Sequence, residues 1–316
     1  MHFPTSGVDV SPFFFPIITF VISFFTSMGG VSGAFLLLPF QVSVLGFSSP
    51  AVRPTNLVYN IVAIPSGVYR YIKEKRMAWQ LVWVIIFGTL PGVFIGATVS
   101  IKYLPEPRMF KFFVGCVLLY IGIQLLYQTT GRHQKGREKS SRVLGMESKF
   151  NQMVKITKEK QKGLLKSGLA PEAVIKTVRF SMSKYEYEFW GEHYSFNSFF
   201  LFVIALIVGI VGGVYGIGGG SIIAPFCVAI LGLPVYTVAG AVLLGTFITS
   251  IAGVSCYYTL AVTPDWTLGL LFGIGGFIGM YCGARAQKFI PERLIKLVLG
   301  LLITSLSIRY ILQFFI

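Results

Sequence analysis

Two glycine clusters, Gly29, Gly30, Gly33 and Gly216, Gly218, Gly219, Gly220, are the positions in this sequence best suited to ligand chemistry. Glycine admits positive φ and lets a ligand approach main-chain amides, and a helix that restarts after a break leaves free N–H groups at its new N-terminus. Those amides, aided by the helix dipole, bind anions. Ser32 and Gly33 in the first cluster, and Gly219, Gly220 and Ser221 in the second, are therefore candidate anion-binding residues. The other use of such glycines is close helix packing, and the sequence leaves both open.

Polar side chains follow each cluster. Arg53 stands at the edge of an apolar run. Its guanidinium can grip a tetrahedral oxyanion through two parallel hydrogen bonds, or it can extend to lipid phosphates as an interfacial anchor. Thr55, Asn56 and Asn60 come next, and the spacing of four places both asparagines on one helical face. Thr246, Thr249 and Ser250 occupy the matching region of the second half. Such neutral donors suit an anion, and they equally suit bonding between helices in an apolar medium.

Several chemistries are excluded. Glu74, Glu106, Asp265 and Glu292 fall at turns between apolar runs, which argues against a deep carboxylate proton relay. The GxGGG run follows no plausible strand and is not a dinucleotide fingerprint, and there is no phosphate loop with Lys and Ser/Thr. Cys116, Cys227, Cys256 and Cys282 lie in apolar stretches without CxxC spacing, so they read as small core residues rather than metal ligands or disulfides. No nucleophile, base, metal set or cofactor can be named, so the chain is not read as an enzyme.

The elements that position these residues are membrane spans. Of 316 residues 54% are hydrophobic and 12% charged, with mean hydropathy +0.73, against about a quarter charged in ordinary soluble domains. From Tyr194 to Pro264 there are 71 residues without Asp, Glu, Lys or Arg. As helix that run is about 107 Å long, enough for three or four crossings of a hydrocarbon core roughly 30 Å thick. Of the charged residues behind the net charge of +15, 14 of the 27 bases and 7 of the 12 acids lie between Gly131 and Ser195, and most of the other bases sit between apolar runs. A basic excess in loops is what orientation by the positive-inside rule requires, so no nucleic-acid partner is inferred. The N-terminus lacks a basic cluster and cleavage site, and reads as a retained first segment.

A shift of 186 positions aligns the sequence with itself. Pro39 falls on Pro225, Gly46 on Gly232, Tyr71 on Tyr257, Pro105 on Pro291 and Glu106 on Glu292. The series Gly88, Gly92, Gly96 matches Gly275, Gly279, Gly283 at 187, and this four-residue spacing reads as a packing face. The chain divides into a first transmembrane repeat, 1–130, an insert, 131–196, and a second repeat, 197–316. The first repeat carries segments 13–28, 34–46, 55–69, 78–101 and 112–130. Their counterparts are 199–215, 221–231, 235–258, 266–284 and 294–316. The second segment of each repeat is too short to span and reads as half of a broken or re-entrant helix.

Arg70, Lys73, Lys75 and Arg76 follow the third segment, whereas the equivalent turn from Cys256 to Val262 has no base. The first turn therefore belongs inside and the second outside, which makes the repeats inverted and the insert cytoplasmic. The fold class expected is an all-α polytopic membrane protein of two inverted repeats, a recurrent plan of secondary transporters. Within the insert, 143–165 has the pattern of an amphipathic helix among lysines. Val178, Phe180, Met182, Tyr185, Tyr187 and Phe189 alternate with polar residues as in a strand or hairpin. The insert is either an ordered spacer or a regulatory module that binds a cytoplasmic partner or a second copy of the chain.

The pair GVSGAFLLLPFQVSVLG, from Gly30 to Gly46, and GIGGGSIIAPFCVAILG, from Gly216 to Gly232, resembles the sulfite exporter TauE/SafE family. So do the stretches that follow, Ala51 to Leu57 and Val238 to Ala241. Arg53, Ala241 and the long insert depart from the usual pattern of that family. The resemblance implies transport of a small anion such as sulfite, sulfate or an organosulfonate across a prokaryotic plasma membrane. The competing expectation is a non-transporting scaffold or sensor that anchors 131–196.

Overall fold

The computed structural model describes residues 2–3, 6–9, 12–47, 49–103, 112, 115–116, 119–120, 122–123, 126–127, 175–180, 185–189 and 192–315. A short pairing of β1 (His2–Phe3) with β2 (Val8–Asp9) precedes the helices α1 (Phe14–Met28), α2 (Ala34–Ser43), α3 (Val52–Lys73) and α4 (Trp79–Lys102). Strands β3 (Lys176–Phe180), β4 (Tyr185–Phe189) and β5 (Glu192–Phe196) come next. Helices α5 (Ser198–Tyr215), α6 (Ile223–Ala229), α7 (Val235–Thr259), α8 (Trp266–Ala286) and α9 (Glu292–Phe315) complete the described chain. Among the described residues five helices are long and apolar enough to cross a membrane: α4, α5, α7, α8 and the 293–312 stretch of α9.

The two helices that follow the glycine clusters are short, 10 residues in α2 and 7 in α6. At about 1.5 Å per residue they reach roughly 15 and 10 Å, well below the thickness of a hydrocarbon core. Gly30 and Gly216 end the preceding helices with φ of +71° and +68°, a left-handed conformation that a side chain disfavours. The equivalent backbone angle at equivalent positions gives each half the same break.

Helix α3 starts at Val52, three residues before the sequence suggests, because Pro54 lies in its first turn, where no N–H is needed. Arg53 is therefore helical. At the other end α3 runs on to Lys73. Arg70 and Arg76 both pair with Glu74, at 2.5 and 2.6 Å. Arg76 is 2% exposed and donates to Ala284 O at 3.0 Å and to Gln287 Oε1, while Gln287 Nε2 donates to Met28 O at 2.5 Å. Tyr71 Oη donates to Ser27 O at 3.0 Å. Arg76 and Glu74 thus form a buried polar knot, with half-buried Arg70 at its edge, that joins the ends of α1, α3 and α8, while Lys73 and Lys75 of the same turn stay exposed. Glu74 and Asp265 lie at turns as expected, yet both are buried.

The glycine series are packing faces. A Cβ placed on Gly92 or Gly96 of α4 would lie 2.4 Å from Leu206 O or 2.1 Å from Ile210 O of α5. On Gly275, Gly279 and Gly283 of α8 it would meet Pro16 O, Phe20 O and Ser27 Oγ of α1 at 2.0 to 2.4 Å. The first helix of each half therefore packs, backbone on backbone, against the fourth helix of the other half. Cys227 and Cys256 are buried, Cys282 is half-buried and Cys116 is exposed; all four are free thiols.

The period of two around Tyr185 becomes the middle of a three-stranded antiparallel sheet in the order β3-β4-β5, with a register irregularity between Thr177 and Arg179. Tyr185, Tyr187 and Phe189 are buried while Glu186 and Glu188 between them are half-buried. Tyr185 Oη donates to Gln80 Oε1 of α4 at 3.0 Å, and Tyr187 Oη shares a 2.9 Å bond with Thr237 Oγ1 of α7. Burial holds the Tyr187 phenol well above the ordinary tyrosine range. The expected amphipathic helix at 143–165 lies outside the described residues.

Candidate functional site

Helix α3 brings the two glycine breaks together through one face. Asn56 Nδ2 donates to Ala34 O, just past the first break, at 3.0 Å, and to Gly216 O, in the second break, at 2.9 Å. Its Oδ1 accepts a 3.1 Å bond from Gln41 Nε2. One turn on, Asn60 Nδ2 donates to Ile217 O at 3.0 Å and to Ser250 Oγ at 3.1 Å, and its Oδ1 accepts from the Ser32 hydroxyl. The shared face expected from the spacing of four is thus real, and it stitches the first half to the second. All these side chains are fully buried.

That use has a chemical consequence. An asparagine amide has two N–H donors, and in both residues they go to protein acceptors. Asn56 and Asn60, expected as direct ligands, are in this conformation the clamps that shape the breaks. Thr55 is committed likewise: its hydroxyl donates to Ala51 O at 2.7 Å and accepts the Asp265 N–H at 2.8 Å, tying α3 to the start of α8.

The second half supplies shorter side chains. Thr249 Oγ1 accepts the Gly219 N–H at 3.1 Å and donates to Gly245 O at 2.9 Å. Thr246 Oγ1 donates to Val242 O at 2.9 Å, and it would lie 2.3 Å from a Cβ on Gly220. Ser221 Oγ donates back to Ile217 O at 2.8 Å. Only glycine lets the second break lie this close to α7.

Among the described residues, the main-chain N–H groups of Ser32 and Gly33, and of Gly218 and Gly220, have no acceptor. All four residues are buried. Buried amide N–H groups in folded proteins are almost always paired. Both breaks thus carry unpaired buried amides, and Asn56 and Asn60 tie the two breaks to each other. Arg53 stands at the rim: it is half-buried, its Cβ packs on Gly216, it sits beside Tyr257, and its guanidinium has no hydrogen-bond partner among the described residues.

The sequence profile of the family described as sulfite exporter TauE/SafE matches residues 15–310, both halves and the insert between them. The chain belongs to the sulfite exporter TauE/SafE family. Two relatives come from Bacillus subtilis (strain 168). The probable membrane transporter protein YunE is 21% identical over 257 residues, 81% of this chain and 79% of its own length. The probable membrane transporter protein YdhB is 27% identical over 117 residues, 37% of this chain and 47% of that relative. No solved structure matches the chain.

Family membership makes the chain a membrane transporter rather than an enzyme or a passive scaffold, and its location is the plasma membrane, where it crosses several times. Among the described residues no group of three or more His, Cys, Asp or Glu is placed to hold a metal ion.

Two contributors escape a reading of the sequence. Gln41 is a lone polar residue in an apolar run, which is the signal that could have found it. Gln287, beyond the last apolar run but one, carries no such signal.

Proposed function

We propose that the chain is a secondary transporter of a small sulfur oxyanion, such as sulfite, sulfate or an organosulfonate, working by alternating access between two inverted repeats. The observation that carries this reading is the set of buried, unpaired main-chain N–H groups at Ser32, Gly33, Gly218 and Gly220. Amides at the start of re-entrant half-helices bind anionic substrates near the membrane midplane. Four donors without a nearby carboxylate suit a compact tetrahedral oxyanion better than a cation.

The packing favours inversion. Gly30 meets Ala239 as Gly216 meets Arg53, and 30 to 216 and 53 to 239 are the same shift of 186. Because α4 is locked to α5 and α8 to α1 by backbone contact, the bodies that move are these mixed pairs, with α3 and α7 between them. The basic turn assigns the Arg70 end of α3, and with it the insert 131–196, to the cytoplasm. Arg53 is then at the outer side, where it offers a fixed charge to an entering anion. In this reading Thr55, Asn56, Asn60, Thr246 and Thr249 shape the site and Arg53 selects for charge.

The test is flux of labelled sulfite, sulfate and taurine in proteoliposomes containing the full chain. Saturable uptake of at least one, with competition by the others, is expected. Absence of saturable flux for all three would remove the substrate class.

A further inference from the structure

We infer that the sheet β3–β5 is a gate that closes the basic-turn face of the transport path, with Tyr187 as its fastening. The inference rests on the transport reading above.

The two sides of the glycine breaks differ in chemistry. Toward Arg53, α3 presents Arg53, Thr55, Asn56 and Asn60. Toward the basic turn, the equivalent positions of α7 are Ala239, Ala241, Val242 and Thr246, all with 0% exposure, so that three of the four are apolar and only Thr246, the counterpart of Asn60, is polar. Helix α6 beside it adds Ile223, Ala224, Cys227 and Val228, at 4% or less. Gly30 closes on this wall, since a Cβ there would lie 2.5 Å from Ala239 Cα. Along α7 the next polar side chain toward its start is Thr237.

At that point the sheet takes over. Tyr185, Tyr187, Phe189 and Phe196 are buried in the same apolar core as α6 and the start of α7. Tyr185 stacks on Tyr187 at 5.4 Å and meets Phe196 edge-on at 5.1 Å. Tyr187 bonds Thr237 in the first turn of α7 and lies beside Cys227 of α6, and Tyr185 bonds Gln80 in the first turn of α4. Since Gln80 is four residues past Arg76, the sheet and the basic turn share one face of the bundle. An apolar constriction excludes water and ions as long as it stays closed. An anion held at the breaks can therefore leave on this face only when the sheet lifts from α6 and α7. The sheet's hold includes two side-chain bonds to the helices and the packing of Tyr185, Tyr187, Phe189 and Phe196, and lid motions of transporters release and remake such contacts on the μs–ms scale.

The test uses two versions of the full chain. In one, with all four native cysteines replaced by alanine, Gln80→Cys and Tyr185→Cys are joined by a reducible bis-methanethiosulfonate linker. Cross-linking should lower labelled sulfite exchange in proteoliposomes by about tenfold or more, as expected when lid opening is required for release, and reduction should restore it. Exchange at the uncross-linked rate would overturn the gate. In the other, Cys227 is the only cysteine, and its reaction with a membrane-impermeant maleimide added to the basic-turn face is followed. Labelling should be slow in the parent, faster in Tyr187→Phe and fastest in Tyr187→Ala; equal rates in the parent and Tyr187→Phe would also overturn it. Labelling needs no substrate. A chain that moves none of the anions yet shows this order of rates would sink the transport reading and leave the gate standing.

Discussion

Replacing Asn56 with leucine conserves volume and removes both halves of the clamp between the breaks. The bonds to Ala34 O, Gly216 O and Gln41 Nε2 disappear together. Hydrogen bonds between helices in a membrane bundle average about 0.6 kcal/mol each, so the three together account for about 2 kcal/mol. The larger cost is what is left behind. Gly216 O and the Gln41 amide become buried groups without partners, at about 1 to 3 kcal/mol apiece, whereas Ala34 O retains its helical position. A total loss of about 4 to 8 kcal/mol follows, which at about 2 °C per kcal/mol for a chain of this size lowers the thermal midpoint in detergent by about 8 to 16 °C. Asn56→Asp should be at least as damaging, because a carboxylate would face two carbonyl oxygens with no proton to offer them. The assay is thiol-reactive dye unfolding, read from the buried Cys227 and Cys256. A midpoint for Asn56→Leu within about 2 °C of the parent would refute the clamp, since that shift corresponds to less than the cost of one orphaned group.

Arg53→Gln should leave that midpoint unchanged and weaken anion binding by about 1.5 to 3 kcal/mol, the range for a hydrogen bond to a charged group, with Arg53→Lys recovering only part. Equal affinity across Arg53→Ala, Arg53→Gln and the parent in detergent titrations would show an interfacial anchor instead. Glu74→Gln leaves buried Arg76 beside half-buried Arg70 without their counter-charge, so it should cost about 3 to 5 kcal/mol of stability. Retention of the parental midpoint would contradict the buried knot. Gly92→Val places side-chain atoms where Leu206 O now lies, and no folded protein should be recovered on size exclusion; Gly92→Ala should already be poorly folded. Tyr187 is held protonated by burial, so its docking is at full strength below the ordinary tyrosine range and weakens as pH rises through and beyond it. Tyrosinate absorbance and Cys227 labelling should rise together there in the parent, and Tyr187→Phe should remove the linkage.

Legibility in the sequence followed the range of the interaction. Positive-φ glycines, short helices after them and packing faces at intervals of four are local patterns, and Gly30, Gly216, Gly92 and Gly279 lie where such patterns place them. The alternation through Tyr185, Tyr187 and Phe189 was equally local, and the strand is there. Asn56 and Asn60 were legible as a face but not as clamps, because their partners Gly216, Ile217 and Ser250 lie 157 to 190 residues away. The same holds for Arg76. A base in a turn reads as a loop charge until Gln287 and Ala284, more than 200 residues later, are seen to enclose it. The start of α3 was misread for a different reason: proline looks like a boundary, and at Pro54 it is the first turn of the helix itself.

The central claim is that the free main-chain amides of the two breaks receive the anion. Titrating detergent-solubilised protein, selectively 15N-labelled at glycine and serine, with sulfite and following its amide resonances tests this most directly. The account predicts that Ser32, Gly33, Gly218 and Gly220 shift together and saturate at one apparent affinity, while Gly46 and Gly232, remote from the breaks, stay fixed. Saturable sulfite binding that leaves those four amides unmoved would contradict it.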